Sequence, residues 1–141
     1  VFGNQWLLTA DDERTGQEEV LLAQSLPESL QGVVDRLRRA GALVIPAHID
    51  RRSHGLLGQL GVWPKGLTVD AVEVSHWSKV DGLVKRFPEL AQFSWVTGSD
   101  AHWLGGLVCD RFTRAFLERP DFGELKAALH GEAGRMVSLF R

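Results

Sequence analysis

The sequence has one cysteine, no long apolar run and no excess of charge of one sign, and each absence excludes a class of protein. A single cysteine in 141 residues, Cys109, excludes an internal disulfide and favours a reducing, cytoplasmic compartment. Apolar runs stay far below the ~18 residues that a membrane span requires, so no membrane partner is expected. The net charge of -2 provides no general attraction to nucleic acid or anionic lipid.

Several catalytic signatures are also missing from the sequence. There is no glycine-rich phosphate loop, no zinc ribbon and no Ser-His-Asp signature. The composition is 44% hydrophobic and 24% charged, which is typical of a globular protein, and we predict a single domain over residues 1–141. The sequence begins with Val1 instead of methionine, which we interpret as a trimmed N-terminus.

Apolar periodicity predicts helices and strands that alternate along the chain. The stripe of Leu30, Val34 and Leu37 predicts a helix over 29–40, which Gly41 ends in a left-handed conformation. Asp121 is the expected N-cap of a later helix. Further helices are predicted over 55–60, 83–90 and 122–129, and strands over 1–10, 42–45, 69–75, 93–97, 112–117 and 136–140, with 11–19 as a loop or weak helix start. This alternation predicts an α/β protein with a mainly parallel sheet or a barrel.

Asp100 and His102 follow the predicted strand over 93–97 and are two residues apart. In extended backbone they project to the same side, where a carboxylate and an imidazole suit a divalent metal such as zinc, manganese or iron. The alternative is a helix start, with Asp100 as a cap and His102 packed or exposed.

Other polar residues lie within or just after the two preceding strands. His48 follows the run over 42–45, and Arg51 beside it has the planar guanidinium that binds phosphate. Asp50 is expected to cap or to pair with a neighbouring arginine. Glu73 lies inside an apolar strand, where a carboxylate needs a metal, neighbouring amides or His76 as its partner. Three consecutive strand units therefore place polar groups at or near their C-terminal ends, as in a barrel active site.

Four segments in order resemble the PHP (polymerase and histidinol phosphatase) superfamily. They read GALVIPAHIDR at 41–51, GLLGQLG at 55–61, DAVEVS at 70–75 and TGSDAH at 97–102. The resemblance implies a partial distorted (β/α)7 barrel of PHP type whose N-terminal strands are missing, so that 1–141 is its C-terminal portion. It implies divalent metal ions, of open number, bound by His48, Asp100 and His102 as catalytic ligands. Glu73 falls on a position that is often acidic in the family, and Arg51 is the expected phosphate contact.

The function implied by this resemblance is a metal-dependent phosphoesterase of the intact parent protein. Hydroxide formed on the metal ions would hydrolyse a small phosphomonoester, as in histidinol phosphatase-like enzymes. The family's His-x-His motif is absent, so we expect this chain by itself to be inactive. Two alternatives stay open: a PHP-type nuclease, against which the charge argues, and a non-catalytic binding or structural module. An incomplete barrel exposes sheet edges, and we therefore expect a homo-oligomer.

Overall fold

The computed structural model describes residues 3–107 and 111–139, and Cys109 lies outside this part of the chain. The chain divides into two compact units, Val1–Leu30 and Gln31–Arg141. The single domain expected over 1–141 stays a prediction, because compactness alone does not show that either unit folds independently.

A β-hairpin forms the regular structure of the first unit. Strands β1 (Gln5–Leu8) and β2 (Arg14–Glu18) pair antiparallel, and Trp6 lies opposite Gln17. The predicted strand in 1–10 is confirmed, whereas the loop or weak helix expected over 11–19 is largely strand. Arg14 explains the difference, because its guanidinium lies 4.4 Å above the Trp6 ring and stabilises a polar strand that has no apolar alternation of its own.

The helices and strands of the remaining described chain are short. The helices are α1 (Leu30–Arg39), α2 (Leu56–Leu60), α3 (Val80–Arg86) and α4 (Phe122–His130). The strands are β3 (Val72–Glu73), β4 (Trp95–Val96), β5 (Thr113–Phe116) and β6 (Met136–Leu139). Single 3-10 turns cover Trp77–Lys79, Pro88–Gln92 and Leu104–Gly106. None of the described helices has the length and hydropathy needed to cross a bilayer.

The predicted partial (β/α)7 barrel is wrong for the described residues, and so is the mainly parallel sheet. The strands form three separate two-stranded sheets, of which only β3–β4 is parallel and only two residues long. A barrel requires a continuous, staggered ladder around its whole circumference.

The predicted strand over 42–45 shows why that ladder is interrupted. Asp70 N–H donates to the Val44 carbonyl at 2.9 Å, but Val44 N–H donates to the Asp70 carboxylate at 2.7 Å. A side chain therefore takes the place that a strand carbonyl would occupy, and the run stays extended without becoming a strand.

The helix ends follow the capping residues of the sequence. Gly41 has φ 79° after α1, and the Asp121 carboxylate accepts from Glu124 N–H at 2.8 Å at the start of α4, so both predictions are confirmed. The helix expected over 83–90 instead begins at Val80 and ends before Phe87. Pro88 explains why the helix ends before Phe87, because a proline disfavours helical backbone in the residue before it.

The core of the second unit lies between α1, α2 and the segments around β3 and β4. Trp63 and Phe93 pack with ring centroids 5.3 Å apart at its edge. The largest fully buried side chains are Ile49, Leu90, Val72 and Val74. Ile49 belongs to the turn that follows the extended run, so this core anchors the backbone that carries the candidate functional residues.

Candidate functional site

His48 lies in a tight turn at the end of the extended run. Its φ of 30° is in the left-handed region, which residues with a side chain seldom adopt. Its ring atom Nδ1 is buried and has no hydrogen-bond partner within the described part of the chain. Because buried ring nitrogens are normally paired, this atom is an open donor or acceptor next to the other candidate residues.

Glu73 on β3 lies directly beside this turn. Its backbone N–H donates to the Pro46 carbonyl at 3.1 Å, and its carbonyl accepts from Ile49 N–H at 2.8 Å. The backbone N–H of His48 favours the ionised form of the Glu73 carboxylate. Burial raises the pKa of Glu73, and the ring and amide of His48 offset that effect only in part. The sequence left open an amide, His76 or a metal as partner, and the structure provides the amide.

Asp100 follows β4 and also has a left-handed backbone, with φ 53°. Its Oδ2 lies 2.5 Å from Arg51 Nη1, and its Oδ1 lies 3.7 Å from His102 Nε2. The hydrogen bond from Arg51 is the main reason why the pKa of Asp100 lies below its ordinary value, so the carboxyl group is ionised at neutral pH. The His102 side chain is largely exposed.

The candidate residues therefore form one cluster, drawn from the turn at 48–51, from β3 and from the segment after β4. His48, Arg51 and Asp100 all act electrostatically on Glu73, and His48 and His102 act on Asp100. Left-handed backbone at both His48 and Asp100 is strain of the kind that concentrates at functional sites. We call the five residues His48, Arg51, Glu73, Asp100 and His102 the 48–102 cluster.

Asp50 makes contacts that the sequence did not indicate. Its carboxylate accepts from Ser75 N–H at 2.7 Å, from the Ser75 hydroxyl at 2.6 Å and from Lys79 Nζ at 2.7 Å. Burial by itself would raise the pKa of Asp50, but these hydrogen bonds hold it below its ordinary value. The pairing with a neighbouring arginine or the capping role expected for Asp50 is therefore replaced by a link to Ser75 and Lys79.

A second buried carboxylate, Asp70, pairs with His130 at the end of α4. The distance from His130 Nε2 to Asp70 Oδ1 is 2.8 Å, and Glu132 lies 3.5 Å from His130 Nδ1. His130 is the last residue of α4, and the sequence gave no sign of this buried partner 60 residues away.

The donor types of the 48–102 cluster fit a divalent cation, but their present spacing does not. Two imidazoles and two carboxylates are suitable metal ligands. The Nδ1 atom of His48, which has no hydrogen-bond partner among the described residues, is available to bind a metal ion. Over residues 3–107 and 111–139, however, no three histidine, cysteine or acidic side chains lie close enough together to hold a metal ion. The Arg51 guanidinium already pairs with the Asp100 carboxylate, so a cation that binds Asp100 would have to displace Arg51.

Two clefts of the second unit lie away from this cluster. One of about 330 Å³ is lined by residues that include Trp63, Leu67 and Gln92. Another of about 380 Å³ is lined by residues that include Val80, Trp95 and Leu139. Neither of these two clefts is lined by a member of the 48–102 cluster.

Comparison of the chain with protein-family models, with curated proteins and with solved structures found no match. The resemblance to the PHP superfamily therefore rests on the four segments quoted above. Three of these segments carry the 48–102 cluster, namely 41–51, 70–75 and 97–102.

Proposed function

We propose that the 48–102 cluster serves a divalent-metal-dependent phosphoesterase that acts on small phosphorylated substrates. The observation that carries this proposal is a cluster in which imidazoles and carboxylates act electrostatically on one another beside the Arg51–Asp100 ion pair. Within it, the buried His48 Nδ1 has no hydrogen-bond partner among the described residues. The same residues are those to which the resemblance assigns metal and phosphate binding. The proposal therefore rests on the chemistry of the site and does not require a barrel.

Each residue has a distinct part in the proposed reaction. His48, Glu73, Asp100 and His102 would hold the cation, which is zinc, manganese or iron by donor type. When bound, the cation supplies an activated water at neutral pH and neutralises charge on the phosphoryl oxygens. Arg51 binds two of those oxygens through its planar guanidinium.

The protonation states of the cluster support cation binding near neutral pH. Arg51 lowers the pKa of Asp100, which therefore stays ionised well into the acid range. Imidazoles bind metal only when they are neutral, so we expect acid pH to weaken metal binding by the protein. Burial raises the pKa of Glu73, and a nearby cation would favour its ionised form.

One observation favours a second candidate, a non-catalytic module that binds anions or a partner without metal. Asp100 is already neutralised by Arg51, and no three ligands among the described residues are in place to hold a metal. The net charge of -2 gives no comparable support to a nuclease.

The decisive experiment measures manganese binding and phosphomonoester hydrolysis on the full chain. Isothermal titration with Mn²⁺ is followed by hydrolysis of p-nitrophenyl phosphate in wild type, Asp100→Ala and Asp81→Ala. Asp81 is the matched control, because it is an exposed aspartate in the first turn of α3.

We expect wild type and Asp81→Ala to bind Mn²⁺ and Asp100→Ala to lose that binding, with any turnover following the same order. Equal Mn²⁺ binding in all three proteins, or measurable turnover that is equal in all three, contradicts the assignment of Asp100. Absence of Mn²⁺ binding in wild type overturns the metal-dependent proposal and favours the non-catalytic module.

A further inference from the structure

Asp50 has a buried carboxylate whose hydrogen bonds join two parts of the chain. Its side chain is only 3% exposed. Oδ1 accepts from Ser75 N–H, and Oδ2 accepts from both the Ser75 hydroxyl and Lys79 Nζ, all within 2.7 Å. Lys79 Nζ also donates to the Ser75 hydroxyl at 2.9 Å, which closes a small ring of hydrogen bonds. We call this group the Asp50–Ser75–Lys79 clamp.

The clamp lies between residues of the 48–102 cluster along the chain. Asp50 is in the turn between His48 and Arg51, and Ser75 is two residues beyond Glu73. The clamp therefore ties the turn that carries two members of the cluster to the end of the segment that carries a third. Two backbone hydrogen bonds join the same segments, from Ile49 N–H to the Glu73 carbonyl and from Glu73 N–H to the Pro46 carbonyl.

The backbone of the turn needs such a tie. His48 has φ 30°, a conformation that persists only when the surrounding structure holds it. Its buried Nδ1 has no partner within the described residues, so no hydrogen bond to that atom fixes the ring. The backbone of the turn therefore contributes to the position of the ring, and the Asp50 carboxylate two residues further along fixes this backbone to the neighbouring segment.

We infer that Asp50 is a positioning residue, which holds the His48 ring and the Arg51 guanidinium in register with Glu73. The inference rests on the proposed function, because it gives this geometry a purpose in binding cation and phosphate. A purely structural Asp50 would contribute to stability and leave the His48 ring where it is. The two roles therefore differ in what happens at His48 when the clamp is weakened.

Asp70 offers a matched control for the test. Its side chain is 5% exposed, and it accepts from a backbone N–H (Val44, 2.7 Å) and contacts a basic side chain (His130, 2.8 Å), much as Asp50 does. Neither of these partners belongs to the 48–102 cluster. Asp50→Asn and Asp70→Asn therefore remove comparable buried charges, one beside the cluster and one elsewhere.

The experiment compares the two variants with wild type in three measurements. These are the thermal midpoint, the Mn²⁺ affinity, and the ¹H–¹⁵N signals of the His48 ring in the metal-free protein. We expect both variants to lose stability, and Asp50→Asn alone to shift the His48 signals and to weaken Mn²⁺ binding about 10-fold. Unshifted His48 signals in Asp50→Asn, or equal effects of the two variants on His48, overturn the inference.

Two further outcomes are separated by design. If wild type binds no Mn²⁺, the proposed function fails, and the His48 signals of metal-free Asp50→Asn still decide whether Asp50 positions the ring. If Asp50→Asn does not fold, Ser75→Ala takes its place, since it removes the hydroxyl bond and keeps the backbone bond to Oδ1. Shifted His48 signals in Ser75→Ala then support the inference, and unshifted signals overturn it.

Discussion

Arg51 and Asp100 form an ion pair in which Nη1 lies 2.5 Å from Oδ2, so the arginine occupies the carboxylate that a cation would need. The same contact occupies the guanidinium that a phosphoryl group would need. Under the proposed function, cation and phosphate binding would therefore be coupled through one ion pair. A cation on Asp100 would release Arg51, and a phosphate on Arg51 would release Asp100.

This coupling predicts that Asp100→Asn strengthens phosphate binding in the absence of metal. The substitution removes the carboxylate that competes for Arg51, and we expect the affinity for inorganic phosphate to rise about two- to fivefold. Isothermal titration in the presence of a chelator measures this affinity without any contribution from a bound cation.

Loss of a negative charge alone would also favour an anion, so the control is a double-mutant cycle with Arg51→Gln. If Asp100→Asn acts by releasing Arg51, its effect disappears when glutamine replaces the arginine. A gain of the same size in both backgrounds would show that only the net charge matters and that the ion pair does not restrain Arg51.

We predict that Glu73 makes the stability of the protein depend on pH. The change of stability with pH should have the opposite sign to that caused by a salt-bridged carboxylate. Burial raises its pKa above the ordinary value of 4.5, so its ionisation is more costly in the folded than in the unfolded chain. The resulting loss of stability is absent below pH 4.5 and develops as the pH rises through the folded-state pKa. We therefore expect Glu73→Gln to be more stable than wild type at pH 7.

Thermal midpoints measured between pH 4.5 and 7 check this expectation. The advantage of Glu73→Gln should shrink steadily as the pH falls, because the wild-type carboxyl group then becomes protonated in both the folded and the unfolded chain. Glu89→Gln is the control, since Glu89 is exposed and should show no such trend. A Glu73→Gln variant that is less stable than wild type at pH 7 contradicts the prediction.

The sequence predicted the helices better than the sheets because helix signals are local. The apolar stripe of α1, the left-handed Gly41 and the Asp121 cap all act within a few residues. Strand pairing depends on distant partners instead. The predicted strand over 69–75 contains the fully buried Val72 and Val74, but only Val72–Glu73 pairs as a strand, and no local signal sets the length of a ladder.

The contacts of the candidate site also fall into local ones, which the sequence indicates, and distant ones, which it does not. The side chains of Asp100 and His102 lie 3.7 Å apart, but the extended backbone from which their shared side was predicted is wrong at Asp100, whose φ is 53°. The hydrogen-bond partners of Asp50 are separated from it by 25 residues or more, and Arg51 is also distant in sequence from Asp100. No spacing rule therefore connects Asp50 with Ser75 or Arg51 with Asp100. Such contacts follow from how β3 and β4 lie beside the turn at 48–51, which the sequence pattern does not determine.

Truncation of Leu90 tests how much the core contributes to the free energy of unfolding. It is fully buried, and Leu90→Ala would leave a cavity among well-packed neighbours, with an expected loss of about 2–5 kcal/mol in the free energy of unfolding. Leu104 is 85% exposed, so Leu104→Ala should change that free energy by less than about 0.5 kcal/mol. Urea unfolding of both variants measures the difference, and equal losses would contradict the core described here.

Gly58 in α2 packs closely against the backbone of Arg51 and Arg52. We therefore predict that the packing of α2 controls the position of the candidate site residues on that turn. A Cβ at this position would meet the Arg51 carbonyl and would lie 2.6 Å from the Arg52 carbonyl, both of which are backbone atoms that cannot rotate away. Gly58→Ala must therefore displace the turn that carries His48 and Arg51, with an expected loss of about 1–3 kcal/mol in the free energy of unfolding. Weaker phosphate binding should accompany it, because Arg51 moves with its backbone.

Gly82 in α3 provides the matched control, since a Cβ there meets nothing within 4 Å. Alanine has the higher helix propensity, so Gly82→Ala should raise the free energy of unfolding by about 0.5–1 kcal/mol and leave phosphate binding unchanged. Urea unfolding and phosphate titration on both variants test the pair. A Gly58→Ala protein as stable as Gly82→Ala would show that α2 does not pack against Arg51 and Arg52 as described.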